Sequence, residues 1–328
     1  LAKSAKNSRI TGKKVCSQKI SWHGLHCLLL WGVNEMEGFT AWTALYLLLG
    51  AYGVALVILL IGRWTTRRAL LGHAETPPAP PALGGSDMVR TWWVQPIDAG
   101  GFLLMSLIFM AFGTTAVLMG GEKEGSITAN ALVVNIVMFG GFVGMVCAIV
   151  GGRARLATWL GLRWAQWWHL LWFGPLVVVS MWGVMGGLQV SGYLAWMEEY
   201  AGTPSMQESV ELMKKSQDTV VVGLMAFSAA IVAPLAEEII FRGYLYPVAK
   251  KWSGKWAAVI FSALWFSACH GNVPLVLPLF LLGIILALAY EKTGSIWAPI
   301  GIHFFFNSAT VLIQLAIRAG WIPDAPAT

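Results

Sequence analysis

Long apolar runs separated by short polar stretches make up most of the chain. A run of about 20 apolar residues is long enough to cross a bilayer, and only a helix satisfies its own backbone there. Eight such helices are expected, over 40–62, 98–119, 129–151, 169–190, 219–240, 256–271, 273–290 and 296–317. The sixth and seventh are short, with a tight turn from Gly271 to Pro274. Gly140-x-x-x-Gly144 and Gly183-x-x-x-Gly187 would let the third and fourth helices approach neighbours closely. The expected fold class is therefore an all-α polytopic membrane protein.

Two longer stretches interrupt this pattern. Residues 64–96 contain Thr76-Pro-Pro-Ala-Pro-Pro81, which predicts an extended, semi-rigid segment. In 193–218, Ser205-x-x-Glu208 has the form of a capping box, and Met206, Val210 and Met213 recur at helical spacing. A short amphipathic helix on the membrane surface is expected there, as a connector in preference to a lid.

Composition agrees with a membrane protein. The chain is 57% hydrophobic and 12% charged, against about 25% charged in a soluble domain. The net charge of +6 does not signal nucleic-acid binding, because the basic residues lie mostly in short inter-helix loops. Among the 18 tryptophans, Trp92-Trp93 and the Trp164–Trp168 cluster flank apolar runs as interfacial belts do. Cys16 and Cys27 lie in the tail and Cys147 and Cys269 in apolar runs, so neither a disulfide set nor a zinc ribbon is indicated.

Loop charges give an orientation. Arg63, Arg67 and Arg68, then Arg153, Arg155 and Arg163, then Lys250, Lys251 and Lys255 follow the odd-numbered spans. Glu122 and Glu124, then Glu198, Glu199, Glu208, Glu211 and Asp218, occupy the alternate loops. The basic loops should be cytoplasmic and both termini should face away from the cytoplasm. The tail 1–35 conflicts with this, carrying Lys3, Lys6, Arg9, Lys13, Lys14 and Lys19. One expectation is a natural start at Met36, with 1–35 upstream of it. The rival is a true basic tail with an N-inside first helix, which would remove one of the spans. Residues 318–328 form a C-terminal tail.

Chemistry concentrates after residue 219. Charges within a membrane helix cost several kcal/mol, so they are usually paired and functional. Ala236-Glu237-Glu238-Ile-Ile-Phe-Arg242 places two carboxylates and an arginine at the end of an apolar run. Glu238 and Arg242 share a helix face at i,i+4, while Glu237 points about 100° away. Pro234 should kink the helix and aim the glutamates inward. Phe266 and His270 share a face, as do His303 and Asn307. Taken singly, each group has a structural reading: an interfacial salt bridge, or a hydrogen bond between helices. Together they are what a buried hydrolytic site needs. His23, His26, His73 and His169 carry no assigned role.

Alternative chemistries leave different marks. His-Glu-x-x-His and Gly-x-Ser-x-Gly are both absent. Cys269 adjoins His270 but projects elsewhere, which argues against a Cys–His dyad. A carboxylate and an imidazole activating water remain, with donors for an oxyanion.

Glu237-Glu238-x-x-x-Arg242, Phe266-x-x-x-His270 and His303-x-x-x-Asn307, in that order, resemble the three motifs of the CPBP family. This family comprises the type II CAAX prenyl endopeptidases and the bacteriocin-processing or immunity membrane proteins. The resemblance covers 219–317, the last four spans, and implies that these form the catalytic core. Residues 36–218 match only in being multi-span. By resemblance, Glu237 is the general base and His270 its partner in holding the attacking water. His303 and Asn307 would donate to the oxyanion, while Glu238 and Arg242 would orient the glutamate helix. Phe266 is implied as a supporting residue.

No cofactor and no metal is implied. A metal on Glu237, Glu238, His270 and His303 is the minority reading, since carboxylates and imidazoles also bind metals. The function implied is a glutamic-type intramembrane endopeptidase acting on a membrane-associated or lipidated substrate. The alternatives are a non-proteolytic scaffold or immunity-type binding protein and, third, a proton-coupled transporter. The implied setting is a prokaryotic cell membrane, with the bilayer and a membrane protein or lipidated peptide as partners and no nucleic acid. The water-filled cavity is expected to open toward the cytoplasmic side, with Glu237 near the cytoplasmic end of its span.

Overall fold

The computed structural model describes residues 46, 49–50, 52–58, 60–65, 88–119, 128–205 and 208–323. The basic tail, the proline-rich segment, Met206 and the acidic pair Glu122 and Glu124 fall outside them, as does part of the first expected span. Every regular element among the described residues is a helix. The chain is an all-α polytopic membrane protein.

We number the principal helices α1 (Tyr52–Thr65), α2 (Ile97–Met119), α3 (Ala129–Gly151), α4 (Leu170–Val190), α5 (Tyr193–Ala201) and α6 (Glu208–Lys215). After these come α7 (219–253), α8 (255–268), α9 (Val276–Thr293) and α10 (Trp297–Arg318). Five stretches among the described residues are long and apolar enough to cross a membrane: Ala129–Gly151, Trp167–Val190, Thr219–Ala268, Val276–Thr293 and Trp297–Arg318. The third is a 50-residue run that contains the fifth expected span and most of the sixth.

Within that run the sequence reading needs one correction. The fifth helix does not end near residue 240 but continues through Lys250 and Lys251 to Ser253. The break is at Gly254, whose φ of 79° and ψ of 170° only glycine adopts without strain. There the chain folds α8 back along α7, so that Phe241 meets Phe266 with ring centroids 5.6 Å apart.

Ion pairs and backbone hydrogen bonds fix one end of the bundle. Lys250 donates to Glu291 Oε1 at 2.7 Å and to Val89 O at 3.0 Å, and Tyr246 donates to Glu291 Oε2. Met88 N–H reaches Glu291 O, and Ile296 N–H reaches Leu160 O. Arg153 grips Asp98 through two hydrogen bonds of 2.7 Å, tying the loop after α3 to the start of α2. That bidentate contact holds the Arg153 guanidinium above its ordinary pKa. At the opposite end, Asn272 donates to Pro204 O, and Arg318 donates to Lys214 O and Ser216 O beside α6.

The close helix approaches fall at glycines other than those expected. A Cβ on Gly140, Gly144, Gly183 or Gly187 would meet nothing within 4 Å, so neither small-xxx-small pattern packs against another of the described residues. Tight contacts include Gly174 against Phe305 and Gly301 against Leu170, which bring α4 onto α10. The tryptophans also divide by role. Trp92, Trp167 and Trp168 are exposed, whereas Trp93 is buried and packs on Trp159 and Tyr244.

Candidate active site

Two prolines shape the glutamate helix. Pro234 and Pro247 have no N–H to give the preceding turn, and the helix widens just before each. Ala233 N–H reaches back five residues to Ser228 O, and Tyr246 N–H to Phe241 O. These are π-turns, a geometry frequent at functional sites. Glu237 and Glu238 sit in the short α-helical stretch between them.

Side chains from other helices satisfy two of the displaced carbonyls. Ala229 O, which would accept from Ala233 in an α-helix, accepts Asn307 Nδ2–H at 2.8 Å. Gly243 O, whose α-helical donor would be the missing N–H of Pro247, accepts Trp159 Nε1–H at 2.7 Å. Asn307→Ala should therefore leave Ala229 O unpaired. A loss of about 1–3 kcal/mol is expected, measurable as a lower midpoint of thermal unfolding in detergent.

The two carboxylates have opposite environments. Glu238 is fully buried and accepts through Oε1 from Arg242 Nη1 at 2.7 Å and His303 Nδ1 at 3.0 Å. Arg242, also fully buried, donates through Nη2 to Gly283 O at 3.1 Å. Its guanidinium carbon lies 4.6 Å from the centre of the Phe266 ring, a cation–π contact in a desolvated site. Glu238 Oε2 and Arg242 Nε have no hydrogen-bond partner. Glu237 is 15% exposed, and its Oε2 has no hydrogen-bond partner either; His303 Nε2 lies 3.9 Å from it.

His270 is fixed by its own helix. Its Nδ1 lies 2.8 Å from Phe266 O. A carbonyl only accepts, so Nδ1 carries the proton and Nε2 of the neutral ring presents a lone pair. The same logic applies to His303: with Nδ1–H given to the Glu238 carboxylate, Nε2 donates only if the ring gains a second proton. Phe266 packs edge-on against both imidazoles, at 4.8 Å from His270 and 5.6 Å from His303. Cys269 lies against Tyr52, whose hydroxyl is 3.5 Å from its sulfur.

A cavity of about 430 Å³ carries Glu237, His270 and Asn307 on its wall. Glu237 lies 16 residues before Ser253 and His270 16 residues after Gly254. Two antiparallel arms of equal length bring them to one level, which removes the mismatch in depth that a helix ending near 240 would impose. The remaining cavity walls come from the starts of α3 and α7, the end of α10, and α6. The cavity sits at the α6 end of the bundle, and Lys250, Lys251 and Lys255 lie at the other.

The predicted residues thus converge, with a division among them. Glu237, His270 and Asn307 face the cavity; Glu238, Arg242, Phe266 and His303 form a buried cluster behind it. Residues 219–309 match the family model of Rce1-like type II CAAX prenyl endopeptidases. Over those residues the chain is similar to the CPBP family. Two relatives are similar to parts of the chain. YdiL of Bacillus subtilis (strain 168), whose name proposes a membrane peptidase, is 32% identical over 94 residues, 29% of this chain and 38% of that protein. The membrane-embedded CAAX protease MroQ of Staphylococcus aureus (strain USA300) is 27% identical over 162 residues, 45% of this chain and 58% of that one. The chain therefore spans less than two thirds of either relative. No solved structure matches the chain significantly.

Other cavity residues escaped the sequence reading. Asn135 of α3, and Thr310 and Gln314 of α10, line the same cavity as Glu237. Each is a polar side chain in an otherwise apolar span, which is the signal that could have found them. Among the described residues, no three His, Cys, Asp or Glu side chains group as a metal cage would.

Proposed function

We propose that this protein is an intramembrane endopeptidase in which Glu237 activates water. The observation that carries this reading is the contrast between neighbours. Glu238 is committed to Arg242 and His303, while Glu237 is partly exposed on the wall of a cavity that His270 also lines. A water between them would give one hydrogen to Glu237 and the other to His270 Nε2, leaving its oxygen lone pair free to attack.

Attack on a peptide carbonyl forms the C–O bond and passes a proton to Glu237. The carbonyl oxygen becomes an oxyanion. Asn307 spends one amide N–H on Ala229 O and has a second to offer that oxyanion. The proton held by Glu237 then goes to the leaving nitrogen as the C–N bond breaks. His303 acts from behind, as a positioning residue clamped by Glu238 and backing the Glu237 carboxylate. Substrate binding falls to a largely apolar cavity, which suits a membrane-borne or lipidated peptide. The names of the family and of MroQ support the protease class.

No metal enters this scheme. Wild-type protein in detergent should cleave members of a panel of apolar fluorogenic peptides, lipidated and plain, at the same rate with and without a strong chelator. Loss of cleavage on chelation, restored by added zinc, would move the chemistry to a metal. An intact fold that cleaves no peptide would favour a binding protein built on the same core.

A further inference from the structure

The cavity extends beyond the catalytic groups along one face of α10. Asn307, Thr310 and Gln314 are spaced i, i+3 and i+7, which sets them in one stripe. Asn135 of α3 borders the same space. The rest of the wall is largely apolar and includes Leu132, Met213, Met225 and Val311. The cavity therefore has a polar rail that begins at the reacting groups, set among apolar side chains.

Gln314 is the informative member of the rail. Its Oε1 is buried and has no hydrogen-bond partner. Thr310 does not serve it, because its hydroxyl is given to Phe306 O at 3.1 Å. An unmet buried acceptor is costly, so it marks a place where a donor is missing. The walls limit what that donor is. Among the described residues that line the cavity, Glu237 is the only carboxylate and none is a lysine or arginine. A charged group would find no countercharge among those residues beside Gln314. A backbone N–H is neutral, and it arrives with an apolar side chain suited to the methionine wall.

We infer that Gln314, with Asn135, forms a docking subsite for one backbone amide of the substrate, seating the adjoining apolar side chain against Met213, Met225 and Val311. This rests on the endopeptidase reading and extends it. The subsite is a specificity device: a site built to hydrogen-bond an N–H discriminates against a ligand that lacks it. It also gives α6 a part in selection, since Met213 comes from that helix.

The test is an ester scan of a fluorogenic apolar peptide, replacing one backbone amide at a time outside the scissile bond. Each ester removes a single N–H. Wild type should lose about 3–10-fold in kcat/KM at one position, the worth of one neutral hydrogen bond. Gln314→Leu should lower kcat/KM on the all-amide peptide by a similar factor, mainly through KM, and should no longer distinguish the ester at that position. Leucine fills the same space without the unmet acceptor, so the fold should hold. Equal ester sensitivity in wild type and variant at every position would overturn the subsite while leaving the endopeptidase reading intact. If wild type cleaves nothing, that reading fails. The subsite is then judged by fluorescence anisotropy of the same labelled peptide: binding weakened by Gln314→Leu supports it, and equal or absent binding overturns it.

Discussion

Glu237→Gln is expected to lower peptide cleavage by about 10²–10⁴-fold, the usual worth of a general base, while the protein stays folded. Glutamine keeps the shape of the side chain and removes its ability to take a proton. The fold should tolerate the change because Glu237 supports little of it. Its Oε2 forms no hydrogen bond, and His303 Nε2 lies 3.9 Å from it. Neutralising a carboxylate beside the buried Glu238 also removes a like-charge repulsion. Melting should therefore be unchanged or slightly raised, with KM near wild type if the peptide binds along the cavity rather than to the carboxylate itself. A loss of activity accompanied by unfolding would contradict this division of labour.

Arg242→Ala should show the reverse order of effects, with stability lost first and activity as a consequence. Arg242 is fully buried, bridges Glu238 and Gly283 O, and stacks over Phe266. Removing it leaves the Glu238 carboxylate buried and opposed only by His303. Breaking one side of a buried pair costs about 3–5 kcal/mol, enough to unfold much of a marginal protein. The measurement is the thermal midpoint in detergent with the monodisperse fraction on size exclusion. Replacing both partners, as Glu238→Met with Arg242→Leu, should recover much of the stability, because a well-packed apolar pair often equals or exceeds a buried ion pair. It should not recover activity, since His303 would lose the carboxylate that fixes its ring. That split between recovered fold and absent cleavage separates a positioning cluster from one that only holds the helices together.

The motif residues were legible in the sequence because charge in an apolar helix has few uses. Glu237, Glu238, Arg242, His270, His303 and Asn307 stood out for that reason, and the helical period already paired Glu238 with Arg242. What the period did not reveal was the partner of each group across helices. Asn307 reaches Ala229 O because Pro234 shifts the preceding hydrogen bonds by one residue, an effect that i,i+4 spacing does not show. The length of α7 was misread because Lys250 and Lys251 resemble loop residues. They lie in the helix because Lys250 is neutralised by Glu291 and Gly254 supplies the corner. The level of the cavity along the bundle follows from that length. The glycine pairs misled differently: spacing shows that a helix has a smooth face, but not whether another helix covers it. Asn135 and Gln314 were missed because a single amide in an apolar run is ordinary until its neighbours are known.

The most direct test of the account is a side-by-side measurement of kcat and thermal midpoint for wild type and Glu237→Gln, on one peptide that wild type cleaves in the presence of chelator. The account predicts a fall in kcat of about a hundredfold or more, with KM and the midpoint preserved. A variant that cleaves within a few-fold of wild type would contradict it, and would place the attacking base elsewhere in the cavity.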